Sequence, residues 1–282
     1  MPDTNDAWDL LVRRTPITRS RLIADLTTLG VQPGSVLMLH TRLSSLGFVI
    51  GGADTVVAAL LELLGPGATL VAMTGWEHDA FDFDEWTPAR QEAYRSDPPA
   101  FDPDVSEARG DYGRLPERIR TWPGARNSTH PEARFSAIGH RAGWITAGQP
   151  MNYPQGPGSP LAKLVEARGY VLMLGAPLET ITLLHHAEDI AHVPNKKIVR
   201  YSCPVKTPSG VQWVEIEDID TSLGAFPYRE VTGDRDAFEV IAEEALAAGI
   251  GVRGPVGEST SHLFPAPELV GFATSWVERH FA

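Results

Sequence analysis

Two hydrophobic rhythms alternate along the chain. In "ITRSRLIADLTTLGV" the apolar positions Leu22, Ile23, Leu26 and Leu29 recur at helical spacing, and Gly30 supplies the stop. After the turn "QPG", "SVLMLH" is a short, wholly apolar run that predicts a buried strand ending at His40. The alternation repeats with the helix "ADTVVAALLELL", the stop "GPG" and the strand "ATLVAM", then with the helix "PLAKLVEA" and the strand "GYVLMLG". Uniformly apolar strands between amphipathic helices predict an α/β fold whose sheet is covered on both faces. "SCPVKTP" and "VQWVEIEDI" flank Ser209-Gly210, which predicts a hairpin turn and so an antiparallel section that makes the sheet content mixed. "DAFEVIAEEALAAG" and "PELVGFATSWVERHF" predict closing helices. Ser159, between Gly158 and Pro160, predicts a helix cap rather than a nucleophile.

Between about residues 76 and 160 the rhythm fails. This stretch is rich in Pro, Gly and Asp, and only "GRLPERIRTW" predicts a helix, a short one. Its scattered aromatics argue for an ordered, functional insertion rather than disorder. The length of 282 residues admits one large domain or two small ones. There is no internal repeat and no apolar run near the roughly 20 residues that span a bilayer, and "MPDTNDAWDLLVRR", without a basic start followed by an apolar run, does not read as a signal peptide. Cys203 is the only cysteine, so internal disulfides and thiolate-rich zinc sites are excluded, and its thiol reads as a bystander. Everything here reads as cytoplasmic.

The formal net charge of −12 makes nucleic acid a poor partner, because phosphate contacts need clustered Lys and Arg. Its distribution says more. "WEHDAFDFDEW" crowds Glu77, Asp79, Asp82, Asp84 and Glu85 among Trp76, Phe81, Phe83 and Trp86, and "EIEDID" adds Glu215, Glu217, Asp218 and Asp220. Acids mixed with aromatics suit a polycationic, partly apolar ligand.

The chemistry concentrates in "ETITLLHHAEDIAHVPNKK", residues 179–197. With 182–192 helical, Leu183, Leu184, Ala187, Ile190 and Ala191 form an apolar arc, and His185, Glu188, Asp189 and His192 lie opposite. Two histidines holding zinc from one helix sit at i and i+4; here those spacings join His185 to Asp189 and Glu188 to His192, which argues against metal. A solvated polar face and a carboxylate-held histidine base both remain open. "HTRLSSLG", after a strand, could hold phosphate through backbone N–H groups and hydroxyls, though such loops are common. His130, before a proline in "NSTHPEARFSAIG", reads by itself as a surface turn residue. Dinucleotide, Walker A and nucleophile-elbow motifs are absent.

Taken together, "LGVQPGSVLMLHTRLSSLG", "GADTVVAALLELLGPGATLV", "RNSTHPEARFSAIG", "GSPLAKLVEARGYVLMLGAPLETITLLHHAE" and "GPVGESTSHLFPAPELVGFATSWVERHF" resemble, in the same order, the aminoglycoside 3-N-acetyltransferase family. The most telling pieces are Thr182 to Glu188, similar to its T-x-x-H-x-A-E, and Ser128-Thr129-His130-Pro131, similar to its S-x-H-P. The resemblance implies the family's own mixed α/β acetyltransferase fold in one domain, 1–282, distinct from the GCN5-related fold, with 76–160 serving the substrate. It implies direct, metal-free transfer from acetyl-CoA to the 3-amino group of the 2-deoxystreptamine ring, giving antibiotic resistance, by a monomer or homodimer. His185 would be the base and Glu188 one of the catalytic group. Asp218 and Asp220 would orient the histidine and bind ammonium. His40, Thr41, Arg42, Leu43, Ser44, Ser45, Leu46 and Gly47, with Tyr112 and Gly113, would meet CoA. Trp76, Glu77, Asp79, Asp84, Phe101, Asp102 and His130, with Glu188, Asp218 and Asp220, would meet the drug. His186, where related enzymes often carry Tyr or Leu, reads as a packing residue. Acylation of another amine in antibiotic biosynthesis is the nearest alternative; a non-catalytic protein that sequesters cationic drugs and a histidine-based hydrolase are the others.

Overall fold

The computed structural model describes residues 15–78, 83–221 and 224–282. The first helical rhythm becomes α1 (Arg19–Leu29), capped by the Thr18 hydroxyl and ended by Gly30 at φ 102°. Next come β1 (Val36–Thr41), α2 (Gly52–Leu64) and β2 (Thr69–Met73). The stretch without clear rhythm holds α3 (Pro88–Ser96), α4 (Arg114–Arg120), β3 (Arg126–Asn127), β4 (Phe135–Gly139) and α5 (Ala142–Thr146). After it follow α6 (Pro160–Glu166), β5 (Tyr170–Leu174), α7 (Leu183–Ile190) and the hairpin of β6 (Ile198–Thr207) and β7 (Gly210–Ile219). The chain closes with α8 (Arg229–Thr232), α9 (Ala237–Ala247), β8 (Val252–Val256), β9 (Ser259–Pro265) and α10 (Ala266–Phe281).

Seven strands form one mixed sheet in the order β3-β4-β2-β1-β5-β9-β8, and β6-β7 stands apart as a two-stranded ribbon. Strands β2, β1 and β5 run parallel, and β4 and β9 join them antiparallel. Side chains of a strand alternate between faces. Val36 and Met38 therefore enter the core layer shared with α7, α9 and α10, while Leu37 and Leu39 enter the opposite layer with α1 and α2. Each such fully buried side chain contributes roughly 1.5–3 kcal/mol of hydrophobic stabilisation.

Segment 76–160 is less irregular than its sequence suggests, since β3 and β4 extend the main sheet. Helix α3 escaped the pattern because it buries no residue, so it carries no apolar period; Thr87 and Pro88 start it instead. Strand β8 escaped because Gly254 and Pro255 interrupt "VRGPV", and an edge strand tolerates both. The β6–β7 register pairs Thr207 with Gly210, so the turn centres on Pro208-Ser209, one residue earlier than expected. Ser159 caps α6 through Ala162 N–H at 3.1 Å. No described helix is long and apolar enough to cross a membrane.

This topology creates a crevice. The chain leaves β1 toward α2 on one face of the sheet and leaves β5 toward α7 on the other. At adjacent parallel strands whose connections diverge in this way, an opening forms beyond the carboxyl ends.

Candidate active site

Helix α7 buries Leu183, Leu184 and Ala187 on its apolar side, as its spacing requires. The polar side is not simply solvated. Glu188 is only 2 % exposed, a state a carboxylate reaches only when its oxygens are satisfied. One oxygen accepts the His185 Nδ1 hydrogen at 2.6 Å, and the other accepts the Tyr228 hydroxyl at 2.5 Å. His185 also meets the Phe238 ring edge-on, with centroids 4.7 Å apart. With Nδ1 committed as donor to Glu188, the Nε2 lone pair is the free basic position. The orienting carboxylate is thus Glu188, three residues along the same helix. Neither Asp218 nor Asp220 supplies the hydrogen bond expected from the resemblance. Asp218 lies near the end of β7 and Asp220 just after it; Asp218 acts on His185 through its charge rather than through a hydrogen bond.

Asp218 and Asp220 are both buried and line a cleft of about 1020 Å³ beneath the β6–β7 ribbon. Burial pushes the Asp218 carboxyl up to about 7 despite a hydrogen bond from Ile219 N–H; Asp189 and Glu188 add to the rise and His185 opposes it. Burial likewise raises Asp189 to about 6. Asp218 is the link between cleft and base, since it lines the cleft and couples to His185, which is not part of the cleft wall.

The opposite wall comes from segment 76–160: Trp76, His78, Phe83, Glu85, Tyr94, Arg109, Tyr112 and Glu132. Three arginines lie beside these carboxylates, and each is engaged within the protein. Arg109 holds Asp111 through two hydrogen bonds, Arg200 donates to Glu217 at 2.7 Å, and Arg95 lies over the Phe83 ring.

The crevice beyond β1 and β5 holds the loop that follows His40. Leu43 to Leu46 form a 3-10 turn, and Gly47 leaves it at φ 93°, a left-handed position where a side chain would strike Glu258. Arg42 N–H donates to Leu174 O, and the Ser45 hydroxyl donates to Gly175 O at 2.9 Å, tying the loops after β1 and β5 together. His40 Nε2 and Thr41 Oγ1 are buried here without a hydrogen-bond partner among the described residues. Burial holds the His40 imidazole down to about 4, so it is neutral. Unsatisfied polar atoms beside a glycine-dependent loop fit the polar arm of acetyl-CoA, whose amides and phosphates can complete them. Tyr112 lines the drug-sized cleft, and Gly113 opens α4, which packs toward α2, the helix after this loop.

Other expected contacts fall elsewhere. Phe101 is fully buried beneath Trp76, with ring centroids 5.6 Å apart, and does not reach the cleft. Asp102 is held by Lys206 at 2.8 Å. Glu77 is exposed and accepts from Gly110 N–H rather than facing the cleft. Asp79 and Asp82 lie outside the described residues, as does the side chain of Asp84. His130 is not a surface residue and is absent from the cleft wall: it is 1 % exposed, Ala133 N–H donates to its Nδ1, and its Nε2 hydrogen goes to Met151 O. With both nitrogens used and burial lowering it to about 4, it staples the loop before β4. His186 is buried and donates to Gln155 O at 2.8 Å, as a packing residue should. Cys203 is buried with its thiol pushed up, hence inert. Among the described residues no three His, Cys, Asp or Glu converge to hold a metal. Sequence reasoning missed Tyr228, which no motif marks, and Glu132, which stands two places past His130 in a motif it had already singled out.

Residues 38–278 match the sequence model of the family described as aminoglycoside 3-N-acetyltransferase. The aminoglycoside N(3)-acetyltransferase IX of Micromonospora chalcea is 45 % identical over 264 residues, 93 % of this chain and 94 % of that one. The crystal structure of aminoglycoside acetyltransferase AAC(3)-Xa superposes with a TM-score of 0.94 at 46 % identity, covering 99 % of each chain. AAC-IIIb, solved as a binary complex with CoASH, gives a TM-score of 0.88 at 42 % identity, covering 95 % of this chain and 98 % of that one. With the sheet, the crevice and the histidine of α7 all in place, the chain belongs to the aminoglycoside 3-N-acetyltransferase family.

Proposed function

We propose that this chain acetylates aminoglycosides from acetyl-CoA at the 3-amino group of the 2-deoxystreptamine ring, with His185 as general base. The observation that carries the reading is the hydrogen-bonded series Tyr228–Glu188–His185, which fixes the imidazole and leaves Nε2 as its free basic atom. Bound acetyl-CoA supplies an activated acyl group as a thioester. His185 Nε2 takes the proton of the attacking amine as the N–C bond forms, and later returns it to the departing thiolate. Glu188 stabilises the imidazolium in between, and the Tyr228 hydroxyl holds Glu188 in place. Asp218 and Asp220 hold ammonium groups of the drug. The same negative charge that recruits the drug favours its protonated amines, so positioning beside the thioester must offset that cost. The His40–Gly47 loop takes the pantetheine and pyrophosphate.

The test is thiol release from acetyl-CoA with kanamycin, gentamicin or apramycin. His185→Ala and His185→Asn should bind both substrates within a few-fold of the parent and lose kcat by roughly 10²–10⁴-fold, the contribution of a positioned base. Near-normal kcat in both variants would overturn the assignment.

A further inference from the structure

The cleft contains one carboxylate whose setting the proposed chemistry leaves unexplained. Glu132 sits in the loop before β4 and lines the cleft wall that faces the β6–β7 ribbon. Two neutral-capable donors converge on its Oε1: His78 Nε2 at 2.8 Å and the Cys203 thiol at 3.6 Å. The donors to Glu132 among the described residues both go to Oε1; Arg109, which lines the same cleft, feels the Glu132 charge but directs two hydrogen bonds to Asp111. The support is built in depth. The His78 side chain is 6 % exposed and stacks on Trp76 at 4.5 Å, and Trp76 packs on the fully buried Phe101 at 5.6 Å. A cleft-lining carboxylate fixed through one oxygen by a buried stack keeps its other oxygen for a further donor and is preorganised to hold a ligand ammonium. Tyr201 lines the same cleft and feels the charges of both Asp218 and Glu132, so the two carboxylates share one space.

We propose that Glu132 is a specificity-determining residue, binding through Oε2 a second ammonium group of the aminoglycoside, away from the amine that is acetylated, with His78 as its positioning residue. The proposal rests on the cleft being the drug site. Asp218 and Asp220 then read the ring that reacts, and Glu132 reads a neighbouring one. An amine placed against Glu132 gains a charge-assisted hydrogen bond; a hydroxyl there gains only a neutral one. The enzyme therefore discriminates between drugs that differ by amine against hydroxyl at that position.

Calorimetric Kd values for two matched pairs test this: kanamycin B with kanamycin A, and neomycin with paromomycin, each pair exchanging one amino group for a hydroxyl. The unmodified protein should favour the amine member of at least one pair by roughly 10-fold, and Glu132→Gln should bring that ratio close to 1 with the Kd for CoA unchanged. Should Glu132→Gln not fold, His78→Phe keeps the charge but removes its donor, and the same ratio should shrink. Ratios that are equal in parent and variant for both pairs overturn the proposal, as does a parallel loss of CoA affinity. These are binding measurements, so they stand apart from the role of His185: a failed base assignment shows in kcat of the His185 variants and leaves the Kd ratios untouched.

Discussion

At the scale of single residues the decisive group is Glu188. It is buried, and both of its oxygens are used, so its chemistry depends on its two partners remaining in place. Glu188→Gln can offer an amide N–H to Nδ1 and so impose the wrong imidazole tautomer; kcat should fall by roughly 10²–10⁴-fold with the Kd for CoA unchanged. Tyr228→Phe leaves one oxygen of a buried carboxylate unsatisfied, which costs about 1–3 kcal/mol, read as a lower melting temperature alongside reduced kcat. Asp218 carries the pH dependence. Its carboxyl rises from the ordinary 3.8 to about 7 on folding, so between those values the folded state binds the proton more tightly. The stability it contributes is complete below about 4 and is lost as pH climbs through 7. Asp218→Asn should therefore match the parent's melting temperature near pH 4 and exceed it at pH 8, by scanning fluorimetry. A melting difference that does not depend on pH would mean that Asp218 ionises freely in the folded protein.

At the scale of elements, the crevice depends on two loops meeting without side chains in the way. Gly175 ends β5 at φ 62°, and a Cβ there would collide with the Ser45 and Ser259 hydroxyls. Gly175→Ala should separate the loops after β1 and β5 and weaken CoA binding, while drug binding measured by calorimetry persists. Equal losses for both ligands would show that the crevice and the cleft are one structural unit. These elements also show what a pattern can reveal. Helix α7 was legible because its apolar arc is narrow and uninterrupted, and β1, β2 and β5 because central parallel strands are apolar on both faces. Helix α3 and strand β8 were not, since a helix with no buried residue and an edge strand with Gly and Pro have no hydrophobic period to read.

At the scale of the whole molecule, the net charge of −12 gives a field that attracts polycations, and the cleft concentrates it through Glu85, Glu132, Asp218 and Asp220. Raising ionic strength from about 0.05 to about 0.5 M shortens the screening length severalfold, so the KM for the drug should rise by several-fold while kcat stays nearly constant. A KM that ignores salt would place the drug's binding energy in stacking on Trp76 and its neighbours rather than in charge.

Local patterns along the chain suffice for the α/β class, the helix that carries His185, the glycine-ended loop after β1 and, through ordered motifs, the family. Each is local: a period, a cap or a motif read within a dozen residues. The tertiary structure decided which carboxylate serves which purpose. Glu188 and Asp189 are neighbours on one helix turn, yet only the placing of Tyr228, 40 residues away, makes Glu188 the buried partner of His185. His130 and Glu132 share one motif, yet packing against Met151 closes the first off and the stack of His78 and Trp76 turns the second toward the cleft. Burial and hydrogen-bond partners are properties of what surrounds a side chain, and those surroundings come from segments distant in the chain.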